Sequence, residues 1–108
     1  MINIDDFKKI EIRIGKILNA EKVEGLDKIL KLQVDFGEFG TRQILSGIAL
    51  TFTDTNVLVN KLCPFVFNLE TRIIKGNESQ GMIMAMGDPQ KVILLSPDED
   101  VEPGSLVG

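Results

Sequence analysis

The side chains of this 108-residue chain best suited to hold a ligand are cations and small polar groups, with no catalytic pair among them. Arg42 opens the run Arg42-Gln43-Ile44-Leu45, just after the turn Gly37-Glu38-Phe39-Gly40. A guanidinium there is placed to pair in bidentate fashion with a phosphate or a base edge. A surface ion pair with Asp35 or Glu38 is the plainer reading. Lys28, Lys31 and Lys75 are point charges of the kind that contact phosphates, and each alone also reads as a solvated charge. Ser79 and Met82 flank Gly81. The glycine admits close backbone approach, the hydroxyl bonds a phosphate or ribose, and the thioether offers a soft apolar contact. Turn chemistry and a core methionine explain the same residues without a ligand. Asn68, closing an apolar run, suits a ribose or base edge, or the satisfaction of its own turn.

What is missing narrows the chemistry further. There is no histidine, so triads, imidazole bases and His metal sites are excluded, and the single Cys63 cannot build a thiolate zinc site. There is no Gly-rich phosphate loop with its lysine and no G-x-S-x-G elbow. No cofactor is expected, and a binding module is favoured over an enzyme. The net charge of −4 is unevenly spread: residues 88–108 hold Asp88, Asp98, Glu99, Asp100 and Glu102 against Lys91 alone. The rest of the chain is therefore neutral and can still present a local basic face. No apolar run approaches the ~20 residues that span a bilayer. The acidic start and the one unpaired cysteine lead to a cytoplasmic expectation.

The framework that carries these residues centres on Ile29–Ile48. Leu30, Leu32, Val34 and Phe36 alternate with Lys31, Gln33 and Asp35, the period of a strand with one buried and one wet face. The glycine-bounded turn leads to a second strand, Thr41–Leu45, ended by Ser46-Gly47. Upstream, Asn3 is the expected N-cap of a helix over Ile4–Ile10 with Ile4 and Phe7 inward. Glu11–Lys22 reads as a long strand, bulged or bent at Gly15. Downstream come a short helix within Thr51–Asn60, a strand over Lys61–Leu69 with Pro64 at an edge or bulge, and a long loop over Glu70–Gly81. Short strands follow at Met82–Met86 and Val92–Ser96, then an extended Pro97–Gly108. Phe7, Phe36, Phe65 and Phe67 are expected in the core, Phe39 exposed, and Cys63 a small buried hydrophobe. These elements predict an all-β fold: a five-stranded Greek-key barrel of the oligonucleotide-binding (OB-fold) type, with a short N-terminal helix and a C-terminal strand or extended segment.

Several blocks in register resemble the tRNA-binding domain family, which includes stand-alone homodimeric proteins and the C-terminal module of methionyl-tRNA synthetases. They are Glu11-Ile12-Arg13-Ile14-Gly15, Asp27-Lys28-Ile29, Val34-Asp35, Gly37, and Arg42-Gln43-Ile44-Leu45-Ser46-Gly47-Ile48. Asn68-Leu69, Gly76-x-x-Ser79-x-Gly81-Met82, Pro97-Asp98 and Pro103-Gly104 continue the match. The chain departs from the pattern at Val23-Glu24-Gly25-Leu26, where His-Pro is common. It departs also at Asn60, Thr71 and Ile73, where glycine, proline and lysine are usual. The loop is left with fewer cations. The Ser-Gly-Ile and Ser-x-Gly-Met blocks favour this branch over the related export-chaperone-like proteins, the alternative being a peptide-binding OB-fold module.

The resemblance implies a single domain over residues 1–108 that binds folded tRNA by shape and backbone. Its implied contact residues are Lys28, Lys31, Arg42, Asn68, Lys75, Ser79 and Met82, and an aminoacyl-tRNA synthetase is a further candidate partner. The poverty of aromatics, with no Trp or Tyr, argues against reading single strands by stacking. Residues 1–87 are expected to form the barrel body. The acidic 88–108 segment, with Val92–Leu95 covered on both sides, is expected to join two copies into a homodimer.

Overall fold

The computed structural model describes residues 1–108. Its strands are β1 (Ile12–Val23), β2 (Leu26–Asp35), β3 (Thr41–Ser46), β4 (Leu62–Val66), β5 (Arg72–Ile74), β6 (Asn77–Ser79), β7 (Met82–Ile83), β8 (Ala85–Asp88), β9 (Lys91–Leu94) and β10 (Leu106–Val107), preceded by the single α-helix α1 (Ile4–Phe7). The main antiparallel sheet runs β3-β2-β1-β4-β7, with β10 added to the start of β1. Two small hairpins, β5–β6 and β8–β9, complete an all-β barrel of the oligonucleotide-binding type.

Alternation in β2 does what its pattern predicts. Leu30, Leu32, Val34 and, just past its end, Phe36 are wholly buried, whereas Lys31, Gln33 and Asp35 keep part of their surface in water. Full burial of such a side chain contributes about 1.5–3 kcal/mol. Ile17, Ile44, Leu58, Cys63 and Phe65 pack against them. Strand β1 spans two pairings, β4 along its first half and β2 along its second. The expected irregularity falls between Ile17 and Asn19, leaving Leu18 exposed, and not at Gly15. Gly15 serves close packing instead: a Cβ there would lie 2.4 Å from Val34 Cγ1.

Other expectations need correction. The helix is one turn long, capped by Asn3 Oδ1 accepting from the Asp6 N–H at 2.9 Å, and Ile4 and Phe7 are exposed. A single turn is too short to present an inward stripe. The helix in Thr51–Asn60 is a 3₁₀ turn, Thr55–Leu58, capped by Asp54 and burying Leu58. Pro64 does take an edge position: it pairs with Ile14 of β1 but lies just beyond the two β4 residues that pair with β7. The segment read as a long loop is the β5–β6 hairpin, turned by Lys75 and Gly76, both at positive φ. Met82–Met86 is split into β7 and the start of β8. Within the single chain only one face of β9 is covered: Val92 and Leu94 pack against the core, while Ile93, pointing the other way, is half exposed. The chain end is also built into the barrel. Gly104 N–H donates to Ile14 O at 2.7 Å, Ile14 N–H donates to Ser105 O at 2.9 Å, and Gly104 is buried against Phe36 O.

Candidate nucleic-acid interface

The barrel closes where β3 meets the chain between β6 and β7, and side chains complete this closure. Gln80 N–H donates to Gln43 O at 2.8 Å, and Gln43 N–H donates back to the Gln80 side-chain oxygen at 3.1 Å. Two residues on, Leu45 N–H donates to Ser79 Oγ at 3.0 Å, whose hydroxyl donates to Gly81 O at 3.2 Å. Ser79 is thus buried with its donor and an acceptor engaged. It is a rivet of the barrel wall that sets the path of Gly81 and Met82. Gly81, at φ 148, sits where a Cβ would come within 2.9 Å of Val66 O. Met82 follows, close to half exposed.

Arg42 lies at the same closure and does not form the surface ion pair with Asp35 or Glu38. It pairs with Val34 on the inner side of β3, so its guanidinium turns over the end of the core. The group lies on the Phe67 ring, 3.5 Å from the centroid, and Nη1 donates to Phe67 O and, at 3.4 Å, to Gln80 O. Burial lowers the Arg42 pKa from its ordinary value, and the charge of Glu11 pulls it part of the way back. Beside it Arg13 lies over Phe39 at 4.2 Å, and Phe39 meets Phe67 edge-on at 5.4 Å. Arg13 Nε donates to Glu11 at 2.6 Å and Nη1 to Gly104 O at 2.8 Å. Arg13 also lies 5.7 Å from the Phe67 centroid, so Phe39, Arg13, Phe67 and Arg42 form one ladder of alternating rings and cations across the barrel end.

The remaining cations are held far less. Lys28 is exposed and makes no ion pair, and Lys75, on the β5–β6 turn, reaches only Gly25 O at 3.4 Å. Lys31 faces Glu21 across β1 and β2, with Nζ 3.7 Å from the carboxylate. Asn68 is engaged at both ends of its amide, donating to Lys9 O at 2.7 Å and accepting from Glu11 N–H at 2.8 Å. It ties the chain after α1 to the end of β4. Of the seven residues singled out, Arg42, Ser79 and Met82 converge on the closure, while Lys28, Lys31 and Lys75 stand around the β1–β2 and β5–β6 turns. The sequence reading passed over Arg13, Gln43 and Gln80, and it took Phe67 as core alone. Arg13 lay within a quoted block but carried no periodic signal of its own.

Elsewhere on the barrel, a groove of about 390 Å3 is lined by Ile14, Pro64, Leu95, Val101, Leu106 and Val107, among others. Next to it Ile4, Phe7 and Ile10 are exposed. Cys63 is buried, and desolvation raises its thiol pKa to about 11, so it stays protonated and unreactive at neutral pH. No helix is long and apolar enough to cross a membrane.

A closed β-barrel with a wet sheet face and cations gathered at its rim defines the oligonucleotide-binding class of module. Residues 12–106 match the family described as "Putative tRNA binding domain", and the chain belongs to it. It is 40% identical over 107 residues to the methionine–tRNA ligase of Campylobacter jejuni, covering 99% of this chain and 17% of that protein. With the ligase of Lactococcus lactis it is 44% identical over 108 residues, covering 99% and 16%. The chain thus spans about a sixth of the length of these relatives. The crystal structure of a MetRS-related protein from Pyrococcus horikoshii superposes with a TM-score of 0.90 at 35% identity, covering 100% of this chain and 98% of that one. The CsaA chaperone protein of Picrophilus torridus superposes at 0.90 with 30% identity, covering both chains completely.

Proposed function

We propose that this chain is a non-catalytic barrel that binds folded tRNA through its shape and backbone. The observation that carries this reading is the family match over residues 12–106, which takes in both the β2–β3 face and the Gly76–Met82 segment. Lys28, Lys75 and Met82 supply exposed contacts, Lys31 a half-buried charge, and Arg42 a guanidinium of set orientation. Asn68 and Ser79 belong to the contact surface through the segments they hold. The scarcity of exposed aromatic rings favours a folded RNA over an extended strand. The chain acts in the cytoplasm in this reading, alone or beside an aminoacyl-tRNA synthetase.

The test is a gel shift with folded tRNA against a single-stranded oligonucleotide of equal length, repeated across salt. Folded tRNA is expected to bind more tightly and to weaken steeply as salt rises. Equal binding of the unstructured RNA overturns the shape reading. A second reading, capture of extended peptides, is favoured by the apolar groove at Ile14, Pro64 and Leu106 together with the likeness to CsaA chaperones. Binding that is indifferent to salt and displaced by apolar peptides decides for it.

The same flank supports a homodimer. Ile4, Phe7 and Ile10 beside α1, with Leu106 and Val107 on β10, leave a contiguous apolar surface that a second copy covers. Removing residues 97–108 would also take away Gly104 and Ser105, which bond to β1, so truncation confounds assembly with folding. Leu106→Asp changes the surface alone. It is expected to give a folded monomer by light scattering, with tRNA affinity lowered about a hundredfold through lost avidity. A full-length protein that is already monomeric at micromolar concentration ends this reading.

A further inference from the structure

We propose that the Nε–Nη2 fork of Arg42 grips the O6/N7 edge of one unpaired guanine in the bound RNA, resting on the tRNA reading above. Three observations lead there. Arg42 has its Nη1 committed to Phe67 O and Gln80 O, and no protein acceptor meets Nε or Nη2. These two groups form the parallel pair of donors that a guanidinium uses for bidentate recognition. The plane of the fork is also set before any ligand arrives, because the group lies on the Phe67 ring and is anchored at one corner. Little rotamer freedom remains to be lost on binding. Finally, no carboxylate pairs with it: Glu11, whose charge acts on it, is bonded to Arg13 at 2.6 Å.

Two kinds of RNA group present paired acceptors to such a fork, the oxygens of a phosphate and the O6/N7 edge of guanine. The surroundings favour the base. Phe39 and Met82 both border the closure, beside Phe67 and Val66 respectively, each with more than two-fifths of its surface exposed. Phe39 touches Phe67, and Met82 follows two residues after the Gln80 that holds Arg42. A base brings a flat apolar face to cover them along with its acceptors, whereas a phosphate brings a hydration shell. The guanine must be unpaired or in a loop, since the deep groove of an A-form helix hides O6 and N7.

The test uses the full chain and three transcripts of one tRNA: unmodified, with 7-deazaguanosine, and with 7-deazaadenosine. Matched melting of the transcripts controls for their fold. The wild type is expected to bind the 7-deazaguanosine transcript about tenfold more weakly, as for loss of one charge-assisted hydrogen bond, and the 7-deazaadenosine transcript unchanged. Arg42→Lys keeps the charge without the fixed fork and is expected to bind the unmodified transcript more weakly than the wild type does and to discriminate less among the three; undiminished discrimination overturns the fork. Equal binding of all three by the wild type overturns the guanine site and leaves the tRNA reading standing. An equal loss with both deaza transcripts also overturns it. If no transcript binds even at low salt, the tRNA reading fails and the guanine site falls with it. Should Arg42→Lys not fold, the three wild-type measurements decide by themselves.

Discussion

The closure at Arg42 and the turn at Lys75 are both cationic, and they are built in opposite ways. At the closure each guanidinium lies on a ring and donates to a main-chain carbonyl, so its position is part of the fold. At the hairpin turn Lys75 is exposed and makes a single 3.4 Å contact with Gly25 O, and Lys28 is exposed and unpaired. Arginine suits the first arrangement because its planar fork both stacks and bonds. Lysine suits the second because a flexible point charge follows a phosphate backbone without dictating geometry. Charge count is therefore a poor guide to this surface. Two arginines are held in orientation by rings and main-chain carbonyls, whereas the exposed lysines Lys28 and Lys75 stand free in water, where salt screens their charge.

Four substitutions test this difference between fixed arginines and free lysines. The largest effect is expected from Phe67→Ala, which removes the ring beneath Arg42 and a neighbour of Phe36 and Phe39. A loss of about 3–5 kcal/mol in stability by chemical denaturation is expected, with RNA affinity falling alongside. A small stability loss would mean that the ladder is ornament. Next comes Arg42→Ala. Affinity should drop by about 1–3 kcal/mol, and stability should fall by roughly 1 kcal/mol as Phe67 O and Gln80 O lose a charged donor. Paired titration and melting curves separate the two, and a change in stability alone would make Arg42 purely structural. The smallest effects belong to Lys28→Ala and Lys75→Ala. Each should lower affinity for all RNAs by less than about 1 kcal/mol and reduce the salt slope by about one unit, leaving the melting temperature unchanged. A large or sequence-dependent effect at either lysine would erase the contrast with the arginines.

Much of this was open to reading in the chain itself. The alternation through Leu30–Phe36 sets which face of β2 is dry, because side chains in a strand alternate strictly and a slip of one residue would bury Lys31, Gln33 and Asp35. Glycines at 37 and 40 mark the turn to β3, and Asn3 marks the helix start, because these depend on local backbone and capping chemistry. The family blocks placed Arg42, Ser79 and Met82 together in a candidate site before any distance was available.

Partners far apart in sequence meet only in the closed barrel. Nothing near Arg42 in the chain says that Phe67 lies beneath it, and nothing near Ser79 says that its hydroxyl receives Leu45 N–H across the closure. The β5–β6 hairpin escaped notice because strands of three residues are too short to show a period. Ile4 and Phe7 read as inward from type alone, yet face solvent because the single turn of α1 stands off the core. Local sequence determines which backbone shapes are cheap. The burial of a charge or a hydroxyl is decided by whatever the closed barrel brings against it, and that is a property of the whole chain.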